Sequence, residues 1–448
     1  MAQDLNTAYY TDGYLYRHDM NPAIGNDSVT YISIPAIGNI SVSTGGNFGL
    51  QDILHKNPRY GNGSNKKLTT FMSPYLTDQE ALGGFNKGEN KAIAEIKETL
   101  LSVGFKGMGG YNTIEFNARA QAGISAPYEL FEFARNIENK TYNIGNINAN
   151  AQSFAEVALG HSHKFGDKVS VGIKAKLLLG FEDINIDMKN IKADFSATDK
   201  WTISGDAIVD ASMKGLTYES ETKEYHNKPG TYRIVNDVDV DKTGIDGMGF
   251  AVDLGVDWKI TDDLRLSAAV LDLGSISWKN DMQAINRSKT FTFGGFHDIT
   301  TTDDQPTSVN KQGQNYGDQI ADFLNLTDNG DKGKRSTGIG TTLNAGIEYT
   351  LPMYRKLSFG LLGTARMHND YSWNEARLSA NWKPAKWFSG GLSVAAGTFG
   401  TSAGWIVNLH PKGFNLFAGM DRFLGKVSKE GIPLNSNGSF HFGMNIEF

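Results

Sequence analysis

Residues 169–179 read Val-Ser-Val-Gly-Ile-Lys-Ala-Lys-Leu-Leu-Leu, and through residue 177 one parity is apolar while the other is small or polar. A period of two places the apolar side chains on one face of an extended strand, with Lys174 and Lys176 on the other. The same alternation occupies residues 114–122 and 248–258. One face of each strand therefore meets an apolar medium and the other a polar one.

The alternating segments are longer than the strands of soluble proteins. Most reach about ten residues or more, which a tilted strand needs to cross a membrane, whereas globular strands average about 5–6. The second segment ends at Phe105, and its start is open because a helical stripe fits there too. The other thirteen predicted strands are Tyr31–Thr44, Tyr111–Gly123, Ala151–His163, Val169–Gly180, Met248–Ile260, Leu264–Trp278, Thr341–Leu351, Leu357–His368, Trp373–Trp382, Phe388–Thr398, Gly404–His410, Phe414–Asp421 and Ser439–Phe448.

The connections between these segments alternate between tight turns and long links. The long links are Gly45–Asn90, Ile124–Asn150, Phe181–Gly247 and Lys279–Gly340. This asymmetry is typical of outer-membrane barrels, which have short periplasmic turns and long extracellular loops. The sequence predicts an all-β protein, a transmembrane antiparallel up-and-down β-barrel of about 14 strands with both termini on the periplasmic side.

Three segments within the long links carry patterns of their own. Lys200–Ser212 reads as a hairpin strand, which we place above the membrane; counting it and a partner in the wall would give sixteen strands. Ser125 is expected to cap a short helix with Leu130, Phe131, Ala134 and Ile137 as its apolar stripe. A second short helix is expected over Gln319–Leu326.

Composition excludes several classes of protein. The 448 residues contain no cysteine, which excludes disulfides, thiolate metal sites and a lipid-modified N-terminus. The net charge is −6 and the basic residues form no stripe, so nucleic acid is not an expected partner. Because the chain begins without an apolar leader, a barrel of this kind implies that a signal peptide has been removed.

The last residues form a distinctive pattern. Phe440, Phe442, Met444, Ile446 and Phe448 share one parity. A final strand with alternating aromatics that ends in Phe resembles the C-terminal assembly signal of bacterial outer-membrane barrels. That resemblance implies recognition of Phe440, Phe442 and Phe448 by the barrel assembly machinery.

Several motifs resemble known barrel families. Asn21–Pro22–Ala23 resembles an element of the FadL-type barrels and of their secretion-associated PorV-like relatives, and Val270–Trp278 is similar to a strand ending of PorV-like barrels. A Bacteroidetes outer-membrane family of unknown function is resembled over nearly the whole chain, through Tyr14–His18, Ile34–Asn39, Gly107–Asn112 and Trp201–Gly215. The resemblance implies a place in the bacterial outer membrane, among its lipids and lipopolysaccharide.

Two functions follow from these resemblances. The FadL likeness implies a channel for uptake of small hydrophobic molecules. The PorV likeness implies, as the alternative, a non-transporting partner of a secretion system or of surface lipoproteins. An apolar pocket inside the barrel would favour uptake, whereas a sealed lumen with an apolar patch on the long loops would favour the partner role.

The lumen is the expected functional site. Residues 1–30 are expected to form an N-terminal plug inside the barrel of residues 31–448, because a fourteen-stranded barrel is too wide for its own side chains to fill. Arg17 is expected to pair with an inward carboxylate such as Glu115, Asp253 or Glu348, and deletion of residues 2–20 is expected to give a much larger conductance. The residues expected to line the lumen are Arg17, Glu115, Arg119, Lys174, Lys176, Asp253, Asp257, Glu348, Arg366 and Arg377.

Catalytic and metal-binding motifs are missing from the sequence. It contains no Gly-x-Ser-x-Gly, no His-Glu-x-x-His and no phosphate loop. The run Asp237, Asp239, Asp241 lacks the Gly and Glu that a calcium loop needs at its sixth and twelfth positions. His161 and His163 are expected at the lipid headgroups rather than on a metal. The sequence thus predicts no enzyme activity, no cofactor and no metal.

Overall fold

The computed structural model describes residues 4–25, 29–60, 68–197, 199–226, 228–299, 305, 307–422 and 437–448. The strands are β1 Tyr31–Ser33, β2 Asn39–Gly46, β3 Leu54–Lys56, β4 Leu68–Thr70, β5 Glu89–Gly107, β6 Gly110–Pro127, β7 Thr141–Phe165, β8 Val169–Asp194, β9 Trp201–Met213, β10 Leu216–Glu224, β11 Thr231–Val240, β12 Gly247–Lys259, β13 Leu264–Trp278, β14 Met282–Asn286, β15 Thr290–Phe293, β16 Leu326–Asp331, β17 Arg335–Gly338, β18 Thr341–Thr350, β19 Leu357–Met367, β20 Trp373–Ala385, β21 Phe388–Gly397, β22 Gly400–Leu409, β23 Asn415–Met420 and β24 Gly438–Glu447.

Helices are short and few in the described parts of the chain. The α-helices are α1 Arg17–Met20, α2 Leu50–Ile53, α3 Asp78–Leu82, α4 Tyr128–Arg135 and α5 Val309–Leu324, and single 3-10 turns occupy Asn6–Ala8, Pro58–Tyr60 and Pro352–Tyr354. None of these helices is long and apolar enough to cross a membrane.

The wall is a closed antiparallel barrel of fourteen strands, as predicted. β1 and β2 together form the first strand and pair with β5 on one side and β24 on the other, so the last strand closes the ring. The interruption between β1 and β2 includes Ala36 at a φ of 64°. β17 and β18 both pair with β13 and share the eighth position. The disputed second segment is a strand, because β5 pairs with β6 along its length.

The two faces of the wall differ as the alternation predicts. Ile173 is 49% exposed on the outside, whereas the neighbouring Lys174 is 2% exposed and faces the lumen. An apolar exterior around a charged interior is the reverse of a soluble barrel and matches a barrel that spans a lipid bilayer. The protein is therefore a porin-like transmembrane β-barrel of the bacterial outer membrane, with its short turns on the periplasmic side.

The sheet continues beyond the wall on the side of the long loops. β8 pairs with β12 up to the Gly180–Gly247 pair and then with β9, starting at Glu182 and Met213. β9 pairs in turn with β14 and β15, and β16 pairs with β14 on its other side. Residues 201–213 thus form a hairpin strand above the membrane, as expected: β9 pairs antiparallel with the preceding strand β8, from Asp194–Thr202 to Glu182–Met213. The following strand β10 pairs with β11 in a separate hairpin. The sixteen-strand alternative is excluded.

The two expected helices differ from the prediction in their boundaries. Ser125 is not a helix cap: β6 continues through Pro127, and the Ser125 hydroxyl donates to Glu89 at 2.9 Å. α4 begins one residue after Pro127 and ends before the exposed Ile137. α5 is longer than expected, because Ser308 accepts a hydrogen bond from the Lys311 backbone N–H and caps a helix that starts at Val309.

Candidate functional site

The N-terminal segment, defined as residues 4–25, lies inside the periplasmic half of the barrel. Most of its residues are buried, including Tyr9, Tyr14 and Leu15. The wall makes room for it with glycines: a Cβ atom on Gly360 would lie 2.1 Å from the ring of Tyr10, and one on Gly172 would lie 2.1 Å from the Pro22 carbonyl carbon. Side chains at these wall positions would clash with the segment, so the segment can pack here only because the strands carry glycine at these positions.

The Asn-Pro-Ala element fixes a turn of this segment against the wall. The Asn21 amide oxygen accepts a hydrogen bond from the Ala23 N–H at 3.0 Å. Its amide nitrogen donates to the Tyr9 hydroxyl and to the Val256 carbonyl, both at 3.1 Å. One side chain therefore satisfies the segment's own backbone and ties it to β12.

A buried ionic cluster joins the segment to three strands. Asp19 Oδ2 lies 2.7 Å from Lys97 Nζ on β5, and Asp19 Oδ1 lies 2.5 Å from Lys174 Nζ on β8. Lys174 Nζ is also 2.6 Å from Glu115 Oε2 on β6. Burial alone would raise the pKa of Asp19, but the positive charges of Lys174 and Lys97 hold the pKa well below its usual value. The carboxylate of Asp19 is therefore the ionised anchor of the segment.

His18, Asp19 and Glu115 also have the composition of a metal site. Their ligand atoms lie within 4.8 Å of one another. The ammonium of Lys174, however, lies within 3.2 Å of one ligand atom of each of these residues. The position that a cation would take is occupied by the lysine, so the group does not fit a metal ion.

A second ionic cluster crosses the lumen farther from the periplasm. Arg119 lies 2.7 Å from Glu156 and 3.2 Å from Asp272, and Lys176 lies 2.7 Å from Asp253 and contacts Asp272 as well. All five side chains are buried. The sequence pattern did not identify Asp272, because parity along β13 places it on the lipid face.

A β-bulge turns Asp272 inward. The β12–β13 register shifts between Val252 and Leu254, opposite Asp272, whose φ is 55°. Its backbone N–H donates to Asp253 Oδ1 at 2.7 Å. The signal in the sequence was Asp272 itself, an acidic residue within the otherwise apolar run Val270–Leu273. A β-bulge can turn such a side chain from the lipid face to the lumen.

The remaining predicted lumen residues occupy three separate places. Arg366 donates to Gln121 at 2.8 Å, across the lumen from β19 to β6. Arg377 lies 2.6 Å from Glu375 and donates to Ser393 at 2.8 Å. Arg17, Asp257 and Glu348 lie near the periplasmic mouth, where Arg17 and Glu348 line a cleft of about 280 Å³.

The predicted ion pair of Arg17 does not form within the described residues. Arg17 is not within ion-pair distance of Glu115, Asp253 or Glu348, and its charge acts on Glu348 and on Asp257 only at longer range. Asp19 binds the wall instead, because α1 turns Asp19 toward Lys97 and Lys174 and directs Arg17 toward the periplasm. The charges of the contact are therefore the reverse of those predicted: an acidic residue of the segment, Asp19, pairs with the basic residues Lys97 and Lys174 of the wall.

Apolar side chains pack together at the extracellular end of the lumen. Phe154, Leu178, Ile276, Trp278 and Ile339 form one buried cluster. On the other side, Tyr371 reaches across so closely that a Cβ atom on Gly123 would lie 2.6 Å from its ring. Besides the cleft at the periplasmic mouth, two cavities between the N-terminal segment and the wall have volumes of only about 20 and 10 Å³.

The final strand exposes its aromatic residues to the lipid side. Phe440 and Phe448 are exposed, and the Phe448 N–H donates to the Thr30 carbonyl at 2.8 Å. Phe442 shares their parity and stands opposite Ile40 and Ala418 of the two neighbouring strands. The role of these residues as an assembly signal remains a prediction.

His161 Nδ1 lies 2.9 Å from the Asn112 amide oxygen.

Comparison with known proteins gives a family and several solved barrels. A model described as "Family of unknown function (DUF5723)" matches residues 22–421. No curated protein matches the chain. Similar solved structures include the deltaS2S3 mutant of the monoaromatic hydrocarbon channel TodX, with 9% identity and a TM-score of 0.42, covering 95% of this chain and 91% of that chain.

Two further solved structures have lower similarity. The Pseudomonas putida toluene transporter TodX shares 8% identity at a TM-score of 0.37, covering 95% of this chain and 90% of that one. The translocator domain of the autotransporter NalP from Neisseria meningitidis shares 8% identity at a TM-score of 0.32, covering 94% and 90%. These values are too low to transfer a substrate or an activity.

Proposed function

The chain belongs to DUF5723, a family of unknown function, and we propose that it acts as a sealed outer-membrane barrel whose extracellular extension docks a surface protein. The extracellular extension consists of the end of β8 beyond the wall, β9, β14, β15, β16 and α5. This is the partner role rather than the uptake role. The docked protein is proposed to be a surface lipoprotein or a component of a secretion system. The likeness to PorV-like barrels and the origin in Bacteroidetes stay predictions.

The observation that carries the proposal is the filled lumen. The N-terminal segment occupies most of its periplasmic half, ionic pairs cross its middle, and apolar side chains pack at its extracellular end. Apart from the charged cleft of about 280 Å³ at the periplasmic mouth, the gaps between the segment and the wall are about 20 and 10 Å³, far below the roughly 150 Å³ of a cavity that holds benzene. Because charged side chains line the cleft, a hydrophobic solute finds no comparable apolar room between the segment and the wall.

The extracellular extension offers a surface for a protein partner. Its outer patch, defined as Trp201, Phe293, Phe296, Tyr316 and Ile320, is linked by ring contacts from Trp201 to Phe293 and on to Phe296 and Tyr316. Trp201, Phe296 and Ile320 are 50%, 42% and 40% exposed. Contiguous exposed aromatic and aliphatic side chains mark interaction sites on protein surfaces.

Uptake of small hydrophobic molecules is the competing function. It would require the N-terminal segment to leave the lumen, which would remove Asp19 from Lys97 and Lys174. Breaking a buried ion pair costs about 3–5 kcal/mol because it leaves an uncompensated charge. A spontaneous opening of this kind is rare, so uptake would need a second event that displaces the segment.

A pull-down from native membranes with matched variants tests the partner role. The protein is crosslinked on intact cells, purified, and the crosslinked proteins are identified by mass spectrometry. A surface protein should be captured by the wild type and lost with Trp201→Glu plus Ile320→Lys, while Met353→Lys, at an 88% exposed position of a periplasmic turn, should retain it. Equal capture by all three would contradict the proposal.

A further inference from the structure

A cleft of about 280 Å³ opens toward the periplasm between the N-terminal segment and the wall. Tyr10, Asp12 and Arg17 of the segment form one side. The other side consists of the turn between β12 and β13, the turn between β18 and β19, and the adjoining ends of β20 and β21. The segment therefore fills the periplasmic half of the barrel only in part and leaves one sector open to solvent.

The cleft is positively charged in an acidic protein. Six basic and four acidic side chains line it, whereas the whole chain carries a net charge of −6. The bases are Arg17, Lys259, Arg265, Arg355, Lys356 and Lys383, and the acids are Asp12, Asp262, Asp263 and Glu348. A concave surface with an excess of one sign attracts ions of the other sign from solution.

Three of the basic side chains are neutralised within the cleft. Lys259 lies 2.7 Å from Asp262, Arg355 lies 2.7 Å from Asp263, and Lys383 pairs with Asp12. Each of these acids is thereby matched to one base. Glu348 is the one remaining acid of the cleft.

The other three bases have only weak partners. The half-buried Arg17 forms no hydrogen bond or ion pair with any residue in the described ranges, and its charge acts on Asp12, Asp257 and Glu348 only at longer range. Lys356 donates only to the Pro384 carbonyl, at 2.7 Å. Arg265 reaches a carboxylate only at 3.7 Å, that of Asp257, and this acid does not line the cleft. With Glu348 set against them, these three side chains leave the cleft a net excess of two positive charges.

We propose that this cleft binds a small anion bearing carboxylate or phosphate groups, held by Arg17, Arg265 and Lys356. A guanidinium donates two parallel hydrogen bonds to such groups, which suits both arginines. The hydroxyls of Ser358 and Ser389 also line the cleft and add neutral hydrogen-bonding groups. The site is independent of transport and of the extracellular partner, because it opens on the opposite side of the membrane.

The same chemistry has two sources in the cell. One is a soluble anion of the periplasm, and the other is the phosphate headgroup of a phospholipid in the inner leaflet. Titration calorimetry on the full-length protein in phosphate-free detergent separates them, with citrate and inorganic phosphate as soluble probes and a short-chain phosphatidylglycerol as the lipid probe. Heat-modifiable migration on a gel shows that each variant is folded.

Variants of the cleft decide whether binding occurs there. Arg17→Gln and Lys356→Gln should each weaken binding about tenfold, the effect of losing one charged hydrogen bond. Lys412→Gln is the matched control, since this exposed lysine lies in another periplasmic turn outside the cleft. It should bind as the wild type does. Lys356 is exposed, so its variant should fold even if that of Arg17 does not.

Each outcome bears directly on the proposal. Saturable binding of citrate or phosphate that both cleft variants weaken supports a soluble anion, and the same dependence with phosphatidylglycerol alone supports a lipid headgroup. Absence of binding by all three probes overturns the proposal. Binding that is equal in the wild type and in the folded cleft variants overturns it as well.

Discussion

The guanidinium of Arg366 on β19 donates to the amide oxygen of Gln121 on β6 at 2.8 Å. These strands are the ninth and third of a ring of fourteen, so the two side chains meet from nearly opposite walls. A barrel of this width was expected to need a plug because side chains could not fill it. Long arginine and lysine side chains nevertheless bridge its extracellular half, and the N-terminal segment is needed only to fill the periplasmic half.

Replacing Asp19 should loosen the N-terminal segment. Asp19→Asn removes the charge that Lys97 and Lys174 share, and leaves these buried ammonium groups with one carboxylate each, Asp4 for Lys97 and Glu115 for Lys174. Because both lysines keep a partner, the loss should lie below the roughly 3–5 kcal/mol of an unpaired buried charge and above that of an exposed pair. The midpoint temperature at which the folded barrel band disappears on a gel should fall, and protease added from the periplasmic side should cleave the segment.

The matched control is Asp12→Asn. Asp12 is another carboxylate of the same segment that pairs with a lysine, but its side chain is 58% exposed. Exposed pairs contribute about 0–1 kcal/mol. Equal destabilisation by the two substitutions would show that the segment is not anchored through the buried cluster.

Deletion of residues 2–20 should leave the barrel nearly closed. The sequence alone predicted a much larger conductance, but the Arg119–Asp272 and Arg366–Gln121 contacts lie above the segment and do not depend on it. Deletion combined with Arg119→Ala and Arg366→Ala should open it. Planar-bilayer recordings compare the two proteins, and a fully open pore after the deletion alone would show that the upper contacts do not seal the lumen.

A charge on the lipid face of the last strand should impair assembly. Phe442→Arg places a cation on the outer surface of β24, at a cost of about 2–4 kcal/mol near the bilayer midplane. Folded barrel in the outer membrane should decrease and precursor should accumulate in the periplasm. Met353→Arg, in the exposed periplasmic turn, is the control and should assemble normally; assembly of both at wild-type levels would refute the prediction.

The orientation of the barrel can be read by labelling, because the chain contains no cysteine. Glu221→Cys lies on the exposed hairpin strand β10, among the long loops, and Lys412→Cys lies in a short turn. A maleimide that cannot cross the membrane should label the first variant and not the second on intact cells. Labelling of Lys412→Cys alone would invert the topology.

The wall was predictable from the sequence because lipid and lumen impose opposite chemistry on alternate residues. That rule places Glu115, Lys174 and Arg377 inside, where the structure has them buried. It fails from Asp272 onward, because a bulge inverts the parity of β13, so that Ile276 and Trp278 also face the lumen. Periodicity describes regular strands and carries no information about where a bulge interrupts them.

The partners of the lumen charges were not predictable in the same way. Asp19 and Lys97 are separated by 78 positions and meet only once the segment has entered the closed ring. Arg17 was the more conspicuous charge in the sequence, yet the turn of α1 directs it to the periplasmic cleft. Likewise, α5 extends beyond its predicted start because Ser308, rather than an apolar stripe, sets its first turn.

Single-channel recording of the wild-type protein in planar lipid bilayers tests the sealed lumen most directly. Protein that shows heat-modifiable migration, and is therefore folded, is reconstituted in symmetrical potassium chloride. Because the segment, the ionic pairs and the apolar cluster close the lumen at three levels, we predict no conductance steps above those of the bare bilayer. Stable, ion-permeable steps of a size typical of open porins would contradict the account.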